Sequence, residues 1–398
     1  MYKALEVLGP EHEFSVVDDE LRAMPIVDRI MKDLHGRVVN AVEYPKYVVG
    51  KELQAHVLEL KSKKPLHSPT EFEQNMQEAV TTVYDFIKSR YGASLLGTGM
   101  HPLLRIPEAS IWTHRHRTIY EAYKKIFNVR QHGWLNIQAF QLNLPYGGKK
   151  NGPTFHNIMA NVIPYIPAIT ASSPIYEGNF GTYIDNRLYF YRNNQNEIPS
   201  LVGDVIPEYV RSTEEYIETV IGGYSKELAE AKADKCIMNA EWINSRGIVF
   251  RFDRRAIEIR IMDEQECIKS DVAVSCLIRA AMRGLLKDVE QTQLLPHDML
   301  VRDFNSIMKG GLDAKVRHPK GPTGRDVCRY LVEVARNSAL DDEKPYLPLV
   351  RRRVEEGNLS QIIAKNVKQK SQKAGMHEAI IGTYLNLAKS LQENKPYF

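Results

Sequence analysis

The chain has 398 residues, with 53 Lys and Arg against 49 Asp and Glu and a formal net charge of +4. That length holds one large domain or two ordinary ones, and so small a charge over so many residues does not by itself imply a polyanionic partner. Cys236, Cys267, Cys276 and Cys328 form no CxxC pair, no apolar run approaches membrane-spanning length, and the N-terminus lacks a signal-type core. The expectation is a soluble cytoplasmic protein with reduced thiols and no membrane role.

Leu8 to Val17 reads as a strand, because after the Gly9-Pro10 break carboxylates alternate with His12, Phe14 and Val16. Glu11 and Glu13 then point the same way, about 7 Å apart, and repel by roughly 2 kcal/mol at an effective dielectric of about 20. An open surface tolerates this. A cleft requires cations, and hard oxygen ligands suit Mg²⁺ or Mn²⁺. Taken alone, the stretch is equally a solvated strand edge.

Ile26 to His35 carries helical spacing up to Gly36, and Val38 to Val42 resembles a short strand. In the strand His56 to Lys61, Glu59 and Lys61 project opposite His56, Leu58 and Leu60. Ser68-Pro69-Thr70-Glu71 is a helix start with a capping Ser, Pro at the first helical position and Glu three residues past the cap. Phe72, Met76, Val80, Val83 and Ile87 make its core stripe, closed by Gly92. Leu95 to Pro102 is a strand end running into a Gly97-Thr98-Gly99 turn, which lacks the Lys-Ser/Thr of recognised phosphate loops. His114-Arg115-His116-Arg117 fits a solvated basic face better than a metal or nucleic-acid site, since neighbouring side chains diverge on any regular element.

Between Asn136 and Pro145, Phe140, Leu142 and Leu144 face inward, while Gln141 and Asn143 share the other side as cation or substrate ligands or as an amide ladder. After the Gly147 to Pro153 loop, Phe155 to Ile169 reads as a buried helix leading into Ala171-Ser172-Ser173-Pro174. Tyr183, Asp185, Arg187, Tyr189 and Tyr191 follow with period two; Arg187 is either a carboxylate or phosphate clamp or an ordinary surface Arg. Arg254 to Asp263 is a strand whose Ile257, Ile259 and Ile261 face one side and Glu258 and Arg260 the other. Glu258 and Arg260 are a structural ion pair, or, with Glu11, Glu13 and Glu59, the cation ligands and fixed positive charge that phosphoryl transfer needs. Asp271 to Asp288 is helical. So is most of the chain from Leu294 to Phe398, where Lys365 to Lys373 is a solvated helix face.

Gly9-Pro10-Glu11-His12-Glu13-Phe14, Glu52-Leu53-Gln54 through Glu59, Gly97 to Pro102, Ala171 to Pro174 and Ile257-Glu258-Ile259-Arg260 occur in that order. In this the chain resembles the glutamate-cysteine ligase family, nearest its bacterial and archaeal carboxylate-amine ligase branch, within the glutamine synthetase and guanidino kinase fold superfamily. The resemblance implies an α+β fold, a curved antiparallel β-sheet funnel flanked by helices, like the glutamine synthetase catalytic domain. It implies a catalytic core over residues 1–290 and a mainly helical part over 291–398 packed on it. By matched position, Glu11, Glu13, Glu59 and Glu258 would bind Mg²⁺ or Mn²⁺, and Arg260 the γ-phosphate of ATP. Gln141 stands where many relatives have a metal-binding His and would take that ligand's place, whereas Asn143 matches and would bind substrate together with Arg187, Ser172 and Ser173, which would shape the amino-acid pocket.

The implied reaction joins a carboxylic acid such as glutamate to an amine such as cysteine through an acyl phosphate. The partners are then small molecules, nothing points to nucleic acid, and a homo-oligomer is compatible with these features. Two alternatives stand beside it: a guanidino or carboxyl kinase on the same scaffold, and a non-catalytic protein that binds RNA or a protein partner.

Overall fold

Ten short runs of alternating apolar residues form strands in the computed structural model, which describes residues 2–115, 117–238 and 241–398. They are β1 (Gly9–Val17), β2 (Ala41–Glu43), β3 (Tyr47–Lys51), β4 (Val57–Ser62), β5 (Ser94–Leu96), β6 (Ala139–Pro145), β7 (Ile175–Tyr176), β8 (Asn179–Phe180), β9 (Ile248–Arg251) and β10 (Ala256–Asp263). Eight of them build one sheet in the order β2-β3-β4-β1-β6-β10-β9, with β5 also paired to β1; β7 and β8 form a separate hairpin. Every pairing is antiparallel, in the α+β architecture expected from the resemblance.

One face of the sheet is apolar: Phe14, Leu58, Leu60, Phe140, Leu142, Leu144, Ile257 and Ile259 are fully buried. The helix Pro69–Tyr91 helps cover it. Ser68 Oγ accepts a hydrogen bond from Glu71 N at 3.1 Å, the stripe from Phe72 to Ile87 is buried, and Gly92 ends the helix at φ 67°. The helix Ile268–Lys287 packs beside it, burying Val272, Leu277, Ile278 and Ala281.

Two expectations are corrected. Phe155 to Ile169 is not one helix: the helix Gly152–Val162 gives way to a single turn at Ile163–Tyr165 and a short helix Pro167–Thr170. Pro164 and Pro167 lack the amide hydrogens that a continuous helix requires. The period-two run through Tyr183, Arg187 and Tyr191 is not a strand either, because Asp185 accepts from Leu188 N at 2.8 Å and caps the helix Asn186–Arg192. His114, Arg115 and Arg117 are exposed, as a solvated face requires, and His116 lies outside the described residues. Lys365, Lys368 and Lys373 are exposed on the helix Leu359–Ala374. Cys236 is exposed, while Cys267, Cys276 and Cys328 are buried; all four are free thiols. No helix among the described residues is long and apolar enough to cross a membrane.

The C-terminal helices up to Glu356 share the main hydrophobic cluster with the sheet, while the helices Leu359–Ala374 and Met376–Glu393 build a second cluster with Val17, Leu21, Leu96 and Ile175. Buried charges also tie the C-terminal part to the sheet: Glu266 Oε1 accepts from Arg353 Nη2 at 2.6 Å and from Tyr397 N at 3.0 Å. Arg353→Met should therefore strand a buried carboxylate and destabilise the protein by about 3–5 kcal/mol, measured by chemical denaturation. Adding Glu266→Gln should recover part of that loss.

Candidate active site

The strand registers bring the expected residues into one row. Glu13 on β1 lies directly opposite Glu59 on β4, and Glu11 lies opposite Lys61 on β4 and Gln141 on β6. Asn143 on β6 faces Gly9 on one side and Glu258 on the other. Because register partners project to the same face, carboxylates from positions 11 to 258 line the side of the sheet away from the helix Pro69–Tyr91, although among the described residues no three of these carboxylates bring their oxygens within 4.8 Å of one another. Gly50, opposite Glu59, makes room for this: a Cβ there would lie 2.8 Å from Glu59 Oε2.

Each acid has a polar partner. Glu11 Oε1 accepts from Arg254 Nη1 at 3.0 Å and from Asn143 Nδ2 at 3.1 Å. Glu13 accepts from Ala139 N at 2.8 Å and from Gln141 Nε2 at 3.2 Å. Lys61 Nζ lies 2.6 Å from Glu59 Oε2, and Arg260 Nε lies 2.7 Å from Glu258 Oε1 with Arg251 Nε 3.5 Å from the other oxygen. Burial and the neighbouring Glu52 push the Glu13 carboxyl up to about 8. Burial also raises Glu59 well above the usual range, with Glu52 and Glu11 adding to it against Lys61. At Glu11 burial acts in the same direction, but Lys61 and Arg254 outweigh it and the carboxyl is held below its ordinary value.

Two cavities open onto the row. The larger, about 630 Å³, is lined by Glu13, Glu52, Glu59 and Arg260 together with aromatic side chains such as Tyr120 and Trp242. The smaller, about 440 Å³, is lined by Glu11, Asn143, Lys63 and Arg254, and Lys61 borders both. Arg260 is aimed by two carbonyls, which its Nη1 reaches at 3.2 Å on Trp242 and 2.9 Å on Asn244. The donor set is one of hard oxygens: four carboxylates, the amide of Gln141 and the buried, unpaired Oδ1 of Asn143. It fits Mg²⁺ or Mn²⁺.

Glu258 and Gln141 line neither cavity, and nor do Arg187, Ser172 and Ser173, although the Arg187 guanidinium lies over the ring of Tyr191 in the larger one. Arg187 and the two serines are buried around Asp263, whose carboxylate accepts from Ser172 N at 2.8 Å and Ser173 Oγ at 2.7 Å and lies 3.5 Å from Arg187 Nη1. Arg187 Nη2 also donates to the Arg260 carbonyl at 2.9 Å, so these residues support the Arg260 backbone from behind. Gly99 belongs to the same packing: a Cβ there would meet the Asp263 carboxylate at 2.3 Å, so the glycine turn serves close approach and does not open onto a phosphate.

Sequence reasoning missed the buried run from Asp263 to Glu266, the adjoining Asp271, and Glu52 in the larger cavity. Glu264 bears directly on the row, taking Glu13 N at 3.1 Å and His12 Nδ1 at 3.1 Å from the apolar side of the sheet. Burial holds Glu264 and Asp271 well above the carboxylate range and pushes His12 down to about 4. A signal existed in the spacing of acids after the Ile257 to Ile261 strand, but charged residues following a strand ordinarily indicate a surface loop.

An antiparallel sheet with helices on one face and its acids on the other defines a class of fold, and the comparisons name the family. The chain belongs to glutamate-cysteine ligase family 2, whose model matches residues 7–381. It is 42% identical over 391 residues to a protein of Archaeoglobus fulgidus described as uncharacterized, covering 98% of this chain and 100% of that one. It is 24% identical over 339 residues to a putative glutamate-cysteine ligase 2-1 of Rubrobacter xylanophilus, covering 83% and 82% of the two chains. Among solved structures it shares its fold with the glutamate-cysteine ligase of Francisella tularensis in complex with AMP, at TM-score 0.59 and 11% identity over 98% and 90% of the chains. The bifunctional glutathione synthetase of Pasteurella multocida matches at TM-score 0.60 and 12% identity, over 97% of this chain and 52% of that longer one.

The raised Glu13 has a measurable consequence. A folded-state value of about 8 against an ordinary 4.5 means that the folded protein keeps a proton the unfolded chain has lost. Without divalent ions, the melting temperature should fall as pH rises from 4.5 towards 8, Glu59 adding to the slope. Glu13→Gln should make the slope shallower in thermal melts across that window.

Proposed function

We propose that this protein is an ATP-dependent carboxylate-amine ligase that forms a γ-glutamyl or related amide through an acyl phosphate. The observation that carries the reading is the cross-strand row Glu59, Glu13, Glu11, Asn143 and Glu258 with Arg260 beside it, in which Glu59, Glu13 and Arg260 line the larger cavity, Glu11 and Asn143 the smaller, and Lys61 both. Two substrates and a nucleotide need separate approaches to one reacting centre, and this arrangement supplies them.

In this reading Glu11, Glu13, Glu59 and Glu258 hold Mg²⁺ or Mn²⁺, with Gln141 and Asn143 completing the oxygen set. The bound ions would offset the triphosphate charge and orient it. Arg260 places a fixed guanidinium where the γ-phosphoryl group gathers charge during transfer, and its carbonyl contacts with Trp242 and Asn244 keep it from collapsing fully onto Glu258. The substrate carboxylate attacks the γ-phosphorus and ADP departs; the amine then attacks the acyl carbon and phosphate departs. The amine must shed a proton, and Glu52, raised by burial and facing the larger cavity, is a carboxylate placed to accept it. No protein nucleophile is required. Nucleotide use accords with the AMP complex of the Francisella tularensis relative.

Glu258→Gln and Arg260→Ala should each lower ATP turnover by about 10²-fold or more with little change in circular dichroism, since neither side chain lies on the apolar face. Near-normal turnover in either would remove that strand from the chemistry. Incubation with ATP, glutamate and a panel of amines, read by product mass, should give an amide and phosphate only when acid and amine are both present. A stable phosphorylated acceptor formed without amine would indicate a kinase instead. Gln141→His should strengthen binding of softer divalent ions relative to Mg²⁺, and an unchanged metal preference would exclude Gln141 from the ligand set.

A further inference from the structure

Lys61 follows Glu59 by two residues on β4, so the two side chains leave the same face, and its register partner on β1 is Glu11. Its ammonium lies 2.6 Å from Glu59 Oε2. The Lys61 side chain keeps 35% of its surface exposed against 13% for Glu59, and it stands between the two cavities. The ammonium thus occupies the coordination space of a carboxylate in the row. Among the row's other cations, Arg254 reaches Glu11 from the rim and Arg260 and Arg251 hold Glu258.

We propose that Lys61 is a tethered cation that competes with a divalent ion for Glu59 and yields that carboxylate when ion and nucleotide arrive together. The proposal rests on the reading that the carboxylate row holds divalent ions. A divalent ion bound at about 2.1 Å from a Glu59 oxygen leaves no room for an ammonium on the same oxygen, and the two positive charges repel strongly inside a cleft. Lys61 has to swing away on its flexible four-carbon stem, towards the smaller cavity that it also lines. An ion alone meets this cost without compensation. A nucleotide triphosphate gives the displaced ammonium a new anionic partner, so each ligand strengthens the binding of the other.

The test is Mn²⁺ binding by the full-length protein, followed by electron paramagnetic resonance with and without a non-hydrolysable ATP analogue. Without nucleotide, Lys61→Met should bind Mn²⁺ about tenfold tighter or more than the wild type, and the gain in affinity on adding the analogue should shrink. Lys61→Gln should repeat this, and Lys61→Arg, which retains the charge, should stay weak. Unchanged Mn²⁺ affinity in folded Lys61→Met and Lys61→Gln overturns the proposal and leaves the carboxylate row as a metal site. Absence of Mn²⁺ binding in every form, nucleotide present or not, overturns the metal reading and this proposal with it.

Discussion

The molecule is organised around a repulsion. Glu13 and Glu59 face each other across adjacent strands, where two ionised carboxylates about 5 Å apart at an effective dielectric of about 20 would repel by about 3 kcal/mol. Glu11 and Glu52 add to the same field. The structure accommodates it in three ways. Lys61, Arg254 and Arg260 each neutralise one acid, the backbone amide of Ala139 donates to Glu13, and burial leaves Glu13 inclined to keep its proton. A site that stores this much like charge holds its shape only if the backbone beneath it is fixed by something else.

That fixing comes from the apolar side. β1 pairs with β6 from Gly9 to His12 and with β5 from Ser15 to Val17, so the Glu13 amide falls where the strand changes neighbours. Glu264 takes the amide, and it also takes the ring nitrogen of His12, which burial keeps neutral at ordinary pH. Around it, Asp263 anchors Ser172, Ser173 and Arg187, while Glu266 anchors Arg353 and the chain near Tyr397. Buried polar groups of this kind are costly unless every member is satisfied, and here Glu266 Oε2, Arg187 Nε and Arg353 Nη1 lack partners, yet the groups join the sheet to segments more than eighty residues away in either direction. Their return is positional: Arg187 holds the Arg260 carbonyl, and Glu264 holds Glu13, so both ends of the charged row are referenced to one buried strap.

This division explains what could be read from the sequence. β1, β4, β6 and β10 were legible because period two separates their apolar faces from Glu11, Glu13, Glu59, Gln141, Asn143, Glu258 and Arg260 within a few residues. The helix Pro69–Tyr91 was legible because Ser68, Pro69 and Gly92 are local stop and start signals. The alternation of Tyr183 through Tyr191 misled because one residue, Asp185, capped a helix and overrode it. The strap was not legible at all. Asp263 looks like the end of a strand and Glu264 and Glu266 like a loop until Ser172, His12 and Arg353, scattered over the chain, are known to converge on them, and no local rule contains that information.

The amides on β6 show how a local ambiguity resolves once neighbours are in place. As a sequence, Gln141 and Asn143 allowed either a ladder of amides or a pair of ligands. In the fold each donates its NH₂ to an acid on β1, Gln141 to Glu13 and Asn143 to Glu11, and the Oδ1 of Asn143 is left buried without a partner. The same side chain therefore orients a carboxylate and offers an oxygen of its own. An imidazole at position 141 would bring a softer nitrogen donor, attractive to zinc or nickel; the amide leaves the row with oxygen donors alone. Under the proposed function, hardness of this kind would favour magnesium through the ligand chemistry itself, at a site where a lysine already shares one of the acids.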